Sequence, residues 1–444
     1  MLILDYSSEE VATVYRKITK FLEDWKNSPH RKPLILQGAR QVGKTYSILD
    51  FGRSNYDNVA YFNFERNQKL KETFDEDISP AYLVPLLSHI AGQTIVREKT
   101  LVVFDEVQVC ERALTSLKYF FEEAPGYHII AAGSLLGVAV NRREFSFPVG
   151  KVNMKTMYPL DMEEFLIALG EKDIVDKVRE CYESNSPMPS VLHDAAMNYY
   201  RQYLVVGGMP ECVMQYYETK DFLLIREIQA TILANYLDDM SKYNQNNEIK
   251  KTRLAYDSIT VQLSKKNTRF QYKLVKKGGR AAEFENAIEW LRLSGIVSQV
   301  YRVEHPYKPL DDNKDIDAFK IYVSDLGLLC AKKELDAPDV LYMSDDLSWF
   351  KGGMAENYVN THLTINGYTT YYWESDRGAE VDFIIQRDGA IIPVEVKSAD
   401  NMQAKSLKVY IERYMPAYAV KLSTKNFGFI NGIKTVPLYA AFCL

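Results

Sequence analysis

The strongest constraint on this chain is the passage PLILQGARQVGKTYSILDF, residues 33–51. It runs from an apolar strand at Pro33–Gln37 through GxxxxGKT, Gly38 to Thr45, into an apolar-periodic helix. Gly38 and Gly43 let the backbone bend so tightly that its amides point inward, and the helix start adds its positive end. Strand, bend and helix together make a phosphate cradle. Gly38, Ala39, Arg40, Gln41, Val42, Gly43, Lys44, Thr45 and Tyr46 are its candidate nucleotide contacts. Lys44 would reach the β- and γ-phosphates of ATP, and the Thr45 hydroxyl would hold Mg²⁺.

A cradle of this kind needs an acidic residue at the tip of another buried strand. TLVVFDEVQ supplies it: four apolar residues, Leu101–Phe104, lead into Asp105 and Glu106. Asp105 would hold Mg²⁺ in its outer shell, and Glu106 would polarise the attacking water as general base. One more strand-like run, NVAYFNFE at Asn58–Glu65, lies between the two motifs. The strand YHIIAAGS ends at Ser134, a polar tip that by itself reads as a core serine satisfied by backbone. The expected fold is α/β, a P-loop NTPase with a parallel sheet.

A strand inserted at Asn58–Glu65 is the order of the additional-strand class of P-loop ATPases, to which AAA+ proteins belong, and Ser134 resembles their sensor position. The P-loop, LVVFDEVQ, IIAAGSLLG, FPVGKVNMKTMYPLDMEEFL and VVGGMPECV together resemble a family of prokaryotic AAA-type ATPases with a C-terminal domain of uncharacterised function. The resemblance spans nearly the whole chain. It implies an ATPase core with Lys44, Thr45, Asp105 and Glu106 in the roles above, and self-association as a homo-oligomer. A ring or dimer would call for an arginine acting in trans, for which NRREF offers Arg142 and Arg143, with a solvated surface as the plainer reading of both.

The 444 residues exceed one core, and the net charge of −5 excludes a wholly basic nucleic-acid coat. The start MLILDYSSEE lacks the basic region of a signal peptide, and the longest apolar run, from Tyr127, is too short to cross a membrane. Five cysteines without a CxxC pair fit a reducing cytoplasm and give no metal site. The expected organisation is a P-loop core over 1–165, a helical lid over 166–245, a winged-helix-like unit over 246–335 and an α/β domain over 336–444.

In the lid, Gly207–Glu211 reads as a hinge or as a plain turn between helices. Residues 250–280 hold ten Lys or Arg and one Asp, a candidate contact for DNA phosphates. A helix around Phe284, Ile288 and Leu291 and two strand-like runs, IVSQVYRV and FKIYVSD, then follow in winged-helix order. Glu283, Glu285 and Glu289 on that helix would repel DNA, so a protein partner is the competing reading.

The last third poses a separate question. GAEVDFIIQRDGAIIPVEVKSAD, residues 378–400, reads as strands, yet Asp382, Glu395 and Lys397 interrupt the apolar runs. Glu395 and Lys397 project to one side, and a hairpin would bring Asp382 alongside. Glu356 shares a face with Val359 and Leu363 on the helix before them. That constellation resembles the restriction-endonuclease-like nuclease superfamily. The resemblance implies that Asp382, Glu395 and Glu356 bind Mg²⁺ and that Lys397 activates water. The alternative is a structural network in which Glu395 and Lys397 pair, on a fold that cuts nothing.

Overall fold

The computed structural model describes residues 15–134, 148–243, 246–265, 268–398 and 405–444. Arg142 and Arg143 lie outside them. Five strands form the first sheet: β1 (Leu34–Gln37), β2 (Asn58–Asn63), β3 (Thr100–Asp105), β4 (His128–Gly133) and β5 (Asn153–Thr156). All pair in parallel, in the order β2-β3-β4-β1-β5. β3 and β4 are buried at every position, which is why they read as unbroken apolar runs. The inserted strand is β2, at the sheet edge beside β3. This order sets the carboxyl ends of β1, β3 and β4 side by side, so Gly38, Asp105 and Ser134 share one rim. An aromatic cluster of Phe62, Phe64, Phe74 and Phe104 packs edge to face beneath β2 and β3.

Helices Met162–Ala168, Lys172–Ser184, Ser190–Val206, Pro210–Thr219 and Phe222–Tyr243 follow. The first opens with a capping box: Asp161 accepts from the Glu164 amide, and Glu164 accepts from the Asp161 amide. The turn at Gly207–Glu211 is packed against neighbouring segments. The Gly208 amide donates to Asp325 at 2.6 Å, and its carbonyl accepts from the Leu160 amide at 2.7 Å. Asp325 also caps the helix Leu326–Lys332, and burial raises its carboxyl to about 6.

Helices Asn246–Leu263, Tyr272–Val275 and Ala281–Leu293 lead into the antiparallel pair β6 (Val297–Val303) and β7 (Lys314–Val323). This pair is no free wing. β6 also pairs in parallel with β8 (Tyr371–Glu374), making the hairpin the edge of an eight-stranded sheet. The sheet therefore crosses residue 335, the expected unit boundary. An unpaired β8 would leave a row of orphan amides and carbonyls, and β6 satisfies them. Beyond β8 come β9 (Glu380–Arg387), β10 (Ala390–Val396), β11 (Ala419–Ser423), β12 (Gly428–Ile430) and β13 (Ile433–Pro437). Helix Lys351–Ile365 precedes β8, and helix Lys405–Tyr414 carries the chain from β10 to its parallel neighbour β11.

One buried apolar cluster runs from Ile18, Leu34 and Ile48 through Tyr203 and Tyr322 to Phe442, joining both sheets. Among the described residues no helix is long and apolar enough to cross a membrane.

Candidate active site

The bend after β1 has the backbone a phosphate cradle requires. Gly38, Gln41 and Gly43 all have positive φ, and Gly43 caps the helix Lys44–Asn55. Glycine at 38 is also forced by closeness: an added Cβ would lie 2.1 Å from the Met157 carbonyl oxygen. Arg16, nearly buried, braces the outside of the bend by donating to the Val42 carbonyl at 2.9 Å and to Glu164 at 3.1 Å. The Lys44 ammonium folds over the bend, donating to the carbonyls of Gly38 (2.9 Å) and Ala39 (2.7 Å).

Burial pulls Lys44 down to about 8, against the upward pull of Glu106 and Asp105. A triphosphate in the bend would restore the charge, so binding above pH 8 must take up a proton. We expect ATP affinity to hold below pH 8 and to fall as the pH rises through and above it. Calorimetry in buffers of different ionisation heat should show proton uptake at pH 9 and almost none at pH 7. Affinity that stays flat from pH 7 to 9.5 would contradict this.

Opposite the bend, the Thr45 hydroxyl donates to Asp105 at 3.0 Å, and the Tyr61 hydroxyl donates to the same carboxylate oxygen at 2.6 Å. Thr45 and Asp105 thus meet where a magnesium ion would need one hydroxyl and one carboxylate, and the donor set fits it. Tyr61, on β2, is a contact that the sequence reading missed. Glu106 sits in the left-handed region at φ 52, ψ 39, directly after β3. Burial raises its carboxyl; Asp105 adds to the shift, while the 2.6 Å hydrogen bond from Gln108, Lys44 and Arg40 oppose it. A carboxylate raised towards neutrality is suited to a general base. Ser134 is buried at the tip of β4. It borders a cavity of about 370 Å³ that also reaches Gln37, Gly38 and Thr156 at the ends of β1 and β5.

The rest of the chain touches this site directly. Arg40 is ion-paired with Asp239 of the helix Phe222–Tyr243, and Tyr236 of that helix donates to the Arg40 carbonyl at 3.3 Å. The turn at Gly295 abuts Ala39, where an added Cβ would lie 3.1 Å from the amide nitrogen.

The C-terminal residues also converge. β9 and β10 pair antiparallel, and the Val396 amide donates to Asp382 at 2.7 Å. Lys397 pairs with Glu395 at 2.5 Å. Glu356 accepts from the Tyr322 hydroxyl at 3.0 Å and lies 3.5 Å from the Lys320 ammonium, which contacts Glu380 at 2.5 Å. Burial, then Glu395 and Glu356, raise Asp382 well above the usual carboxylate range. Among the described residues no three acidic, histidine or cysteine side chains gather closely enough to hold a metal. Of the residues expected to form a Mg²⁺ shell, Glu356 faces Lys320 and Glu395 faces Lys397. Lys320, from β7, was missed, although a lysine inside the apolar run FKIYV was its visible signal.

The basic segment is also partly neutralised, through Lys251–Glu248 at 2.7 Å and Lys276–Glu283 at 2.9 Å.

Comparison with known proteins bears on the domain that carries the bend. Residues 30–166 match the profile of the AAA domain. Residues 197–339 match a domain of unknown function (DUF8612), and residues 351–441 match another (DUF4143). No curated protein matches significantly. Among solved structures, the chain is similar to the Walker-type ATPase of Pyrococcus abyssi at 15% identity and TM-score 0.45, covering 72% of this chain and 96% of that one. It is also similar to the Aeropyrum pernix ORC1 protein in complex with DNA (12%, TM-score 0.29, 74% and 93%). The Thermotoga maritima RuvB Holliday junction branch migration motor is a third (11%, TM-score 0.31, 66% and 90%). With the profile match and the geometry of the bend, the chain carries an AAA-type P-loop ATPase domain.

Proposed function

We propose that this protein hydrolyses ATP with Mg²⁺ and uses the cycle to change how its appended helical, winged-helix-like and C-terminal parts meet a protein partner. The observation that carries the reading is the meeting of Lys44, Thr45, Asp105 and Glu106 around one bend, with Thr45 3.0 Å from Asp105. Lys44 would hold the β- and γ-phosphates, and the bend amides would orient them. Magnesium at Thr45 and Asp105 would supply charge neutralisation on the phosphates. Glu106 takes the proton of a water whose oxygen attacks the γ-phosphorus as the bond to the β-phosphate oxygen breaks, giving ADP and phosphate.

Coupling is supported by the contacts of Asp239, Tyr236 and Gly295 with the bend, since a nucleotide that shifts Arg40 or Ala39 pushes on them. A protein partner is favoured over duplex DNA because glutamates offset part of the basic 250–280 segment. The C-terminal part is read as a scaffold rather than a nuclease, its carboxylates being neutralised by lysines. A second copy supplying Arg142 or Arg143 in trans is compatible with this reading and not required by it.

Purified protein should release phosphate from ATP in the presence of Mg²⁺, and Lys44→Ala should abolish both ATP binding and turnover. Equal rates in the variant and the native protein would end the proposal.

A further inference from the structure

The GxxxxGKT pattern leaves the third position of the bend free, since the cradle there needs only backbone. This chain fills it with Arg40 and then anchors that residue at both ends. Tyr236 donates to its carbonyl, and Asp239, one helical turn further on, accepts from its Nη1. Asp239 itself is nearly buried, at 3% exposure. Among the described residues, Nε and Nη2 of Arg40 make no hydrogen bond, so half of the planar fork remains available to an anion.

The surroundings indicate which anion. Arg40 and Ser134 border the same gap of about 10 Å³, together with Tyr236, Asp239, Trp290, Ser294 and Ile296. The Trp290 indole N–H, a buried donor without a partner among the described residues, belongs to a residue lining that gap. Arg40 therefore shares a gap with Ser134, at the strand-end rim where the bend and Asp105 also lie.

We propose that Arg40 is an arginine acting in cis on the γ-phosphate of ATP, with Asp239 as its positioning residue. The inference rests on the ATPase reading above and adds the group that tells ATP from ADP. Placing the positioning carboxylate on the helix Phe222–Tyr243 also makes γ-phosphate contact sensitive to where the appended parts sit. As the γ-phosphate departs, the fork keeps one arm on Asp239 and loses its second ligand, so the helix feels the hydrolysis step through a single ion pair.

The test uses the full chain and two probes, ADP and a non-hydrolysable ATP analogue, with turnover measured alongside. Arg40→Ala should lower kcat by about 100- to 1,000-fold, at or below the low end of what arginine contacts contribute in phosphoryl transfer. Its affinity for the ATP analogue should fall roughly 10- to 100-fold, as for loss of a charge-assisted hydrogen bond, while ADP affinity stays at the native value. Unchanged ADP binding also reports that the variant is folded. Arg40→Lys should recover only part of kcat, because an ammonium cannot span Asp239 and the phosphate together. Asp239→Asn should reduce kcat about tenfold with ADP affinity unchanged, a split that mere loss of packing would not give. An active native enzyme whose Arg40→Ala variant keeps its turnover and its preference for the ATP analogue overturns this inference alone. Native protein that binds neither probe overturns the ATPase reading and this inference with it.

Discussion

Replacing Glu106 by glutamine is expected to slow ATP turnover by about 10²- to 10⁴-fold, the usual contribution of a positioned general base, while ATP still binds. Glutamine is nearly isosteric, and its carbonyl oxygen can keep accepting from Gln108, which now donates at 2.6 Å. The left-handed turn at residue 106 is unaffected, so the loss reports chemistry rather than folding. Binding should tighten slightly, because one negative charge beside the triphosphate is removed. The pH profile gives a second reading. Glu106 must be ionised to accept a proton, and burial raises its carboxyl above the ordinary glutamate range. The native rate should therefore fall on the acid side along a limb displaced upwards from that range, and the variant should lack the limb. Single-turnover phosphate release across pH 5–9 measures both effects. A variant within tenfold of the native rate, with the acid limb intact, would remove Glu106 from the role.

How much of this was legible in the sequence follows from how local each interaction is. The bend and the tip of β3 could be read because each lies in one short, patterned stretch, and the pairing of Thr45 with Asp105 follows once both strands are placed in a parallel sheet. β5 was not visible: it has four residues, Asn153–Thr156, with no apolar alternation, and it gains its place only by pairing with β1. The Arg40–Asp239 contact joins residues far apart in sequence, and neither segment announces the other. The β6–β7 hairpin looked self-contained because winged-helix order is a local pattern. Its true neighbour, β8, lies roughly seventy residues downstream, and the sheet closes over the gap. At the C-terminal cluster the residues and the Glu395–Lys397 pairing were legible, but Lys320 was not. The sequence showed carboxylates in need of a positive partner and offered a metal as readily as a lysine. Lys320 arrives from another strand, so its contacts with Glu356 and Glu380 could not be read locally.

Lys320→Met is the change expected to disturb the C-terminal part most. Its side chain is 1% exposed and lies against Glu356 and Glu380, with the Tyr372 ring centroid 5.0 Å from the ammonium. Burial pulls its proton affinity down, but Tyr322, Glu356, Glu380 and Asp382 together hold it well above the ordinary lysine value. The lysine is thus charged throughout the neutral range. Removing one partner of a buried ion pair strands the other's charge and costs about 3–5 kcal/mol. Glu380 is a third exposed and water can screen it, so we expect about 3 kcal/mol, near the lower end. The sign of the pH dependence follows. Lysine's stabilising contribution is complete below its unfolded value and is lost only as the pH rises through its raised folded value, so the native protein keeps it from pH 5 to 8. In the variant the penalty comes from ionised carboxylates without a counter-ion, and protonation relieves it. The stability gap between the two proteins should therefore be widest at pH 8 and should narrow towards pH 5. Adding Glu356→Gln to Lys320→Met should restore part of the loss, because the two side chains share one interaction and their effects cannot simply add. Denaturant unfolding at pH 5, 6.5 and 8 measures all three proteins. A gap under about 1 kcal/mol at pH 8, the size of a surface pair, would mean that Lys320 is not the cation holding these carboxylates together.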